Sequence, residues 1–155
     1  MELTDLVRMF AEPLDLAVVV TDADLERPGP TVLYANPAFA RMSGYALAEV
    51  MGATPRILQG SDTNREATRY LRRLLRAEGR FVGCLRNYRK GGDEYLCEID
   101  IRPILGRNGI PQAYIAFERE VVRRRGRPPD GGTRRYRSIV QSPLPWVGDG
   151  MTLFA

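Results

Sequence analysis

Histidine is absent from all 155 residues. That absence removes the Ser-His-Asp and Cys-His catalytic constellations, histidine-ligated haem, most zinc sites and any phosphoaccepting histidine. Cysteine is nearly absent: Cys84 and Cys97 are the only two, too few for a disulfide framework or a four-cysteine metal site, and not spaced as CxxC. A reduced, cytoplasmic setting is the expectation. Long hydrophobic runs are missing as well. The longest, Leu16 to Val20 and Ala113 to Phe117, fall far short of the ~18 residues that a membrane span needs, and the acidic N-terminal segment does not read as a signal peptide. Lysine occurs once, as Lys90, so the positive charge is almost entirely arginine.

What is present describes one globular domain: 44% hydrophobic and 27% charged residues in a chain of ordinary domain length. The net charge of +4 hints at nucleic acid until the charges are placed. Residues 1–120 hold 16 basic and 17 acidic side chains, whereas residues 121–155 hold 7 and 2. The basicity belongs to the tail.

Leu3, Leu6, Val7 and Phe10 follow helical spacing, so residues 1–13 read as an amphipathic helix that ends near Pro13 and needs a partner surface. Leu16 to Thr21 and Thr31 to Tyr34 read as an antiparallel strand pair around the turn residues 22–30. Asn36 is placed to cap a helix with Pro37 at its first position, stopped by Gly44. Short helical turns follow to Gly60. The run Thr63-Asn64-Arg65-Glu66 reads as a capping box, with Thr63 as the cap of the longest helix, which stops at Gly79. Three strands come next, Phe81 to Lys90, Glu94 to Leu105 and Gln112 to Val121, joined by turns at Gly91-Gly92-Asp93 and Arg107-Asn108-Gly109. The order predicts an α+β fold, a five-stranded antiparallel sheet with helices gathered on one face and a ligand pocket between them. Residues 123–155, with Arg123 to Arg125, Pro128-Pro129 and Gly131-Gly132, lose all periodicity and read as a disordered basic tail with Tyr136, Trp146 and Phe154 as sparse anchors.

The segments Val19-Val20-Thr21-Asp22-Ala23 (preceded by Val18), Tyr34 to Phe39, Ser43-Gly44-Tyr45 and Glu49 to Gly52 resemble the first half of a PAS domain. More narrowly, Arg56-Ile57-Leu58-Gln59-Gly60, Asn87 to Gly92 and Ile99 to Pro103 resemble the LOV subfamily of flavin-binding blue-light receptors. The likeness covers roughly Leu16 to Glu120, within a domain bounded at residues 14–122, and implies the PAS fold. It also implies FMN held between helices and sheet, with FAD or an empty pocket as alternatives. In that resemblance Arg56 and Arg72 match the phosphate-binding arginines, whose guanidinium forks suit a phosphate. Solvated helix surface is the plainer account of both, since Arg65, Arg69, Arg73 and Arg76 make that helix arginine-rich anyway. Gln59 and Asn87 match polar contacts to the flavin. Val19 and Thr21 match pocket walls, or serve as ordinary core, and Thr54, counted with the cofactor-binding residues, opens the motif as a helix cap.

The departures from the family pattern carry more meaning. Family photochemistry needs a cysteine that light bonds covalently to the flavin; its position here is Pro55, which has no thiol. Thr54 followed by Pro55 is instead a sound helix start. The family's second strand asparagine is Cys97, expected to face the same side of the hairpin as Asn87 while Cys84 faces away. The glutamine that normally switches its hydrogen bond to the flavin is Glu118. In a dry pocket Glu118 would be protonated and able to donate; ionised, it would disfavour an anionic reduced flavin; a slipped register would turn it to solvent. Lys90 and Glu49 match a salt bridge of the pocket mouth.

The resemblance implies a sensory module that responds to light or redox state by flavin photoreduction without a cysteine adduct. It would signal through protein–protein contact, as a homodimer with an unknown downstream partner. A flavin-free PAS interaction domain is the alternative, favoured by Pro55, Cys97 and Glu118 and opposed by Arg56, Gln59, Arg72 and Asn87. Nucleic-acid or acidic-membrane binding through the tail is disfavoured, because no aromatic interrupts the arginine run. An enzyme is disfavoured for want of an acid, base and nucleophile set.

Overall fold

The computed structural model describes residues 1–123, 125, 126 and 136–138. Helix α1 (Leu3–Ala11) precedes strands β1 (Ala17–Asp22) and β2 (Val32–Ala35). Helices α2 (Pro37–Ser43) and α3 (Leu47–Val50), a 3-10 turn (Pro55–Leu58) and helix α4 (Arg65–Glu78) follow, then β3 (Phe81–Tyr88), β4 (Glu94–Leu105) and β5 (Pro111–Arg123). The five strands form one antiparallel sheet in the order β2-β1-β5-β4-β3, the expected α+β architecture. A sixth strand, β6 (Tyr136–Ser138), pairs with residues 121–123 of β5. Those three residues are a departure from the unstructured tail expected beyond residue 122; the rest of that expectation lies outside the described residues.

Strand alternation sorts the side chains onto two faces. On the inner face Val19, Ala116, Ile99, Cys97 and Leu85 lie under α2, the 3-10 turn and α4. On the outer face Val18, Val20, Ile115 and Phe117 receive Val7 and Ala11 of α1. So α1 finds its partner surface on the side of the sheet away from the other helices, and one face alone does not hold every helix.

Asn36 joins the two layers. It is fully buried and its side-chain oxygen accepts from the N–H groups of Val18 (2.9 Å) and Phe39 (3.1 Å), while its amide nitrogen donates to the carbonyls of Ala11 (2.9 Å) and Leu16 (2.8 Å). All the hydrogen-bonding capacity of one amide is thereby used to cap α2 and to fix the end of α1 against β1. Pro37 sits at the first helical turn and Gly44 ends α2 at φ 75°, as the sequence suggests.

The start of α4 differs from expectation. Asn64, not Thr63, is the cap, accepting from the N–H groups of Glu66 and Ala67. Thr63 is engaged elsewhere: its hydroxyl accepts from Gly60 N–H (2.8 Å) and donates to the Arg86 carbonyl (3.0 Å), tying the approach to α4 onto β3. A buried tertiary bond outweighs the local capping box here.

Candidate functional site

Between the inner face and the helices lies a cavity of about 120 Å³. Its apolar wall is built by period-two positions, Ile99 and Ile101 of β4 and Tyr114 and Ala116 of β5, faced by Leu71 and Leu75 of α4. The polar groups are few and come from separate elements. Val19 and Thr21 enter from β1, Asn87 from β3 and Glu118 from β5; Pro55, Arg56 and Gln59 enter from the 3-10 turn and its end, and Arg72 from α4. Sequence reasoning missed Leu25 and Pro30, which come from the loop between β1 and β2. The alternation Tyr114, Ala116, Glu118 was open to reading, whereas the return of that loop to the cavity was not.

Two expected wall residues lie elsewhere. Thr54 stays outside the lining and caps the 3-10 turn, its hydroxyl accepting from Arg56 N–H at 3.4 Å, as a threonine ahead of Pro55 should. Cys97 lies on the same inner face but outside the lining, with no exposed surface and its thiol 3.7 Å from Oε2 of Glu118. The β3–β4 register, Leu85 against Cys97 and Asn87 against Tyr95, does place Asn87 and Cys97 on one side. Cys84 pairs with Glu98 on the other, and both cysteines are free.

Burial governs the chemistry of this corner. Glu118 is 6% exposed and its carboxyl is pushed up to about 7 by desolvation, with the Cys97 thiol acting in the opposite sense. Burial and the neighbouring Glu118 push the Cys97 thiol well above its ordinary value, and burial pushes Cys84 up to about 12. Neither thiol is a ready nucleophile, because the thiolate is the reactive species. Glu118 instead holds or releases a proton near neutral pH, inside an apolar cavity that the Asn87 amide also lines.

The opposite end of the cavity is cationic. Arg56 donates from Nε to the Gly29 carbonyl (3.0 Å) and from Nη2 to the Leu25 carbonyl (3.2 Å), so one edge of its fork holds the β1–β2 loop against the mouth. Burial, and then the positive charges of Arg72 and Arg27, lower its pKa. Cations this close repel one another, and an anion between them relieves the repulsion. Lys90 bonds to Glu49 on the surface, as the resemblance implied, in an exposed pair that contributes little to stability. Among the described residues no cluster of three or more Cys, Asp or Glu is placed to hold a metal, and no helix is long and apolar enough to cross a membrane.

A helix-covered antiparallel sheet enclosing a cavity with a few convergent polar groups is the architecture of a ligand-binding sensory domain. Residues 15–122 match the PAS domain model, and the chain belongs to that family. The match is further resolved by relatives. Over 112 residues the chain is 36% identical to a nitrogen fixation regulatory protein of Klebsiella oxytoca, covering 72% of this chain and 22% of that protein. Over 121 residues it is 35% identical to blue-light-activated histidine kinase 1 of Erythrobacter litoralis, covering 76% and 33%. The chain thus spans about a fifth to a third of the curated relatives it matches. Among solved structures, a light-oxygen-voltage domain studied with a flavin analogue superposes with a TM-score of 0.66 at 26% identity, covering 76% of this chain and 83% of that one. An RNA-binding light-oxygen-voltage receptor superposes with a TM-score of 0.68 at 28% identity, covering 76% and 33%. The domain is of PAS/LOV type, a sensory module homologous to known LOV photoreceptor domains.

Proposed function

We propose that this domain binds a flavin, in the first instance FMN, and senses light or redox state without forming a bond to a cysteine. The observation that carries the reading is the donor set of one cavity. Apolar walls suit a flat aromatic ring, the Asn87 and Gln59 amides and the Glu118 carboxyl line the same cavity and would partner ring heteroatoms, and Arg56 and Arg72 would supply positive charge for a phosphate. When bound, the flavin supplies blue-light absorption and redox capacity. This chain supplies the rest: Glu118 holds a proton at its carboxyl in a dry environment, Cys97 donates to it from the neighbouring strand, and Arg56 closes the β1–β2 loop over the mouth. Pro55 stands at the cavity wall where the family places its thiol, and the burial of Cys97 keeps the nearest sulfur protonated.

Output by this reading passes through protein–protein contact in the cytoplasm, as a homodimer acting on a downstream partner. A flavin-free PAS interaction domain is the second reading, and the commitment of one edge of the Arg56 fork to Leu25 and Gly29 favours it. The absorption spectrum of the freshly purified protein separates the two. A structured blue band that bleaches under illumination with an added reductant, to an extent that changes in Glu118→Ala, is the expected result. Colourless protein that takes up no added flavin would falsify the proposal and leave the second reading.

A further inference from the structure

Helix α4 turns two sides to its surroundings. Leu71 and Leu75 help to wall the cavity, while Arg65, Arg69, Arg73 and Arg76 are exposed and Arg72 is half-buried between them. These five arginines stand against two acids in the helix, Glu66 and Glu78, and recur at spacings of three and four, so like charges adjoin along one stripe. Each adjacency costs the helix stability unless an anion relieves it. Arg76 bonds to Glu26 of the β1–β2 loop and Arg73 lies over the Tyr70 ring at 5.3 Å, but among the described residues Arg65, Arg69 and Arg72 pair with no carboxylate. Residues 121–155, with 7 basic and 2 acidic side chains, are no source of the missing negative charge. A stripe that breaks a local rule without compensation within the chain points to something that covers it.

An open groove of about 570 Å³ runs among Arg69, Arg72, Arg73 and Arg76 and is lined also by Ala77. That is far more room than one inorganic anion needs, and the arginine stems give the groove apolar surface as well as charge. From this groove we infer that α4 is the docking surface for an acidic amphipathic helix of a partner protein. Its carboxylates meet the guanidinium forks, and its apolar side chains lie on the arginine stems and Ala77. A helix is the fitting shape because carboxylates three and four residues apart repeat the spacing of the stripe, over the two turns and about 10 Å that separate positions 69 and 76. Exposed acids bound the groove: Asp62 and Glu66 precede it and Glu78 follows it. A nucleic acid strand or an anionic bilayer carries its charge past both ends and meets those acids, whereas a short helix stops between them. The inference is independent of whether the cavity takes a flavin.

The test titrates the full chain into labelled probes and reads fluorescence anisotropy. The probes are a synthetic helical peptide with glutamates at i, i+3, i+4 and i+7 and leucines between them, its glutamine counterpart, and a single-stranded RNA; phosphatidylserine vesicles are assayed by sedimentation. The glutamate peptide is expected to bind and the glutamine peptide not to. Arg69→Gln should weaken the glutamate peptide about fivefold, and Arg69→Gln with Arg73→Gln about 25-fold, the upper end of what exposed ion pairs contribute. Arg107→Gln, at the exposed hairpin tip, should leave it unchanged. Among the described residues Arg69 has no side-chain partner to lose, so the single variant decides should the double variant not fold. Because it relieves repulsion, Arg69→Gln should melt no lower than the parent; a lower melting temperature makes the stripe structural and overturns the proposal. Failure of the glutamate peptide to bind, or equal affinity in the parent and Arg69→Gln, also overturns it. So does RNA or vesicle binding that exceeds the peptide's and is lost in the same variant, or a dimer of this chain that Arg69→Gln dissociates, since a second copy would then be the occupant.

Discussion

On the outer face of the sheet the buried acids are matched by guanidinium groups. Asp100, 1% exposed, accepts from Arg102 (2.9 Å) and Arg80 (3.2 Å), and Glu98 bonds to Arg119. On the inner face Glu118 is buried to the same degree, and among the described residues no guanidinium pairs with it; Arg89, on that side, is taken by Glu120 at 2.7 Å. The same sheet thus treats its carboxylates in two ways. Paired acids hold a surface together, and the unpaired one keeps its proton and lends the cavity an adjustable charge. The cost of burying a charge is offset on one side and left standing on the other, which is where chemistry has use for it.

The contrast can be broken most severely where the two layers join. Asn36→Ala removes four buried hydrogen bonds and leaves their backbone partners unsatisfied; a loss of about 4 kcal/mol in urea unfolding is expected. Equal stability of variant and parent would mean that the layers are held by apolar packing alone.

The pH dependence of folding sharpens the inner side. Glu118 titrates near 7 when folded against an ordinary 4.5. Below pH 4.5 both states are protonated and the group opposes nothing. Between 4.5 and 7 the unfolded chain loses the proton first, so stability falls as pH rises, by about 3 kcal/mol in all, and then levels. Glu118→Gln should abolish that slope, with the parent and variant curves diverging above pH 5; parallel curves would show that the carboxylate finds a cation.

The outer side should respond least. Arg102→Gln leaves Asp100 its bond to Arg80, and because the Arg102 side chain is 42% exposed the expected loss is about 1 kcal/mol by thermal or urea unfolding. A loss as large as that for Asn36→Ala would make this pair the more important of the two.

Legibility followed the range of the interaction. Asn36-Pro37 is read from adjacent residues because a cap is a local device, and the facing of Asn87 and Cys97 follows from strand period alone. Thr63 misleads for the opposite reason: its partner, the Arg86 carbonyl, lies 23 residues away, and nothing in the capping-box pattern reports it. The hold of Arg56 on Leu25 and Gly29 and the clamp on Asp100 are invisible on the same ground. β6 escapes notice because three residues, Tyr136 to Ser138, are too short to show a period within an arginine-, proline- and glycine-rich stretch. The motif positions for Arg56, Gln59, Arg72, Asn87 and Glu118 are found in one cavity, whereas Cys97 and Thr54, outside its lining, show that a motif match does not by itself put a side chain in the wall.

Glu118 and Arg119 are neighbours in the chain yet serve opposite faces, so one extra residue between Ala113 and Glu118 would send the guanidinium into the cavity and the carboxylate outward. The sheet's register irregularity there falls at Ile104/Leu105, beside the turn at 106–110 and outside that stretch. A change of length is therefore accommodated at the hairpin tip and disruptive along β5 from Ala113 to Glu118. Grafting loops at that tip is the way to re-engineer the molecule without rewriting its interior.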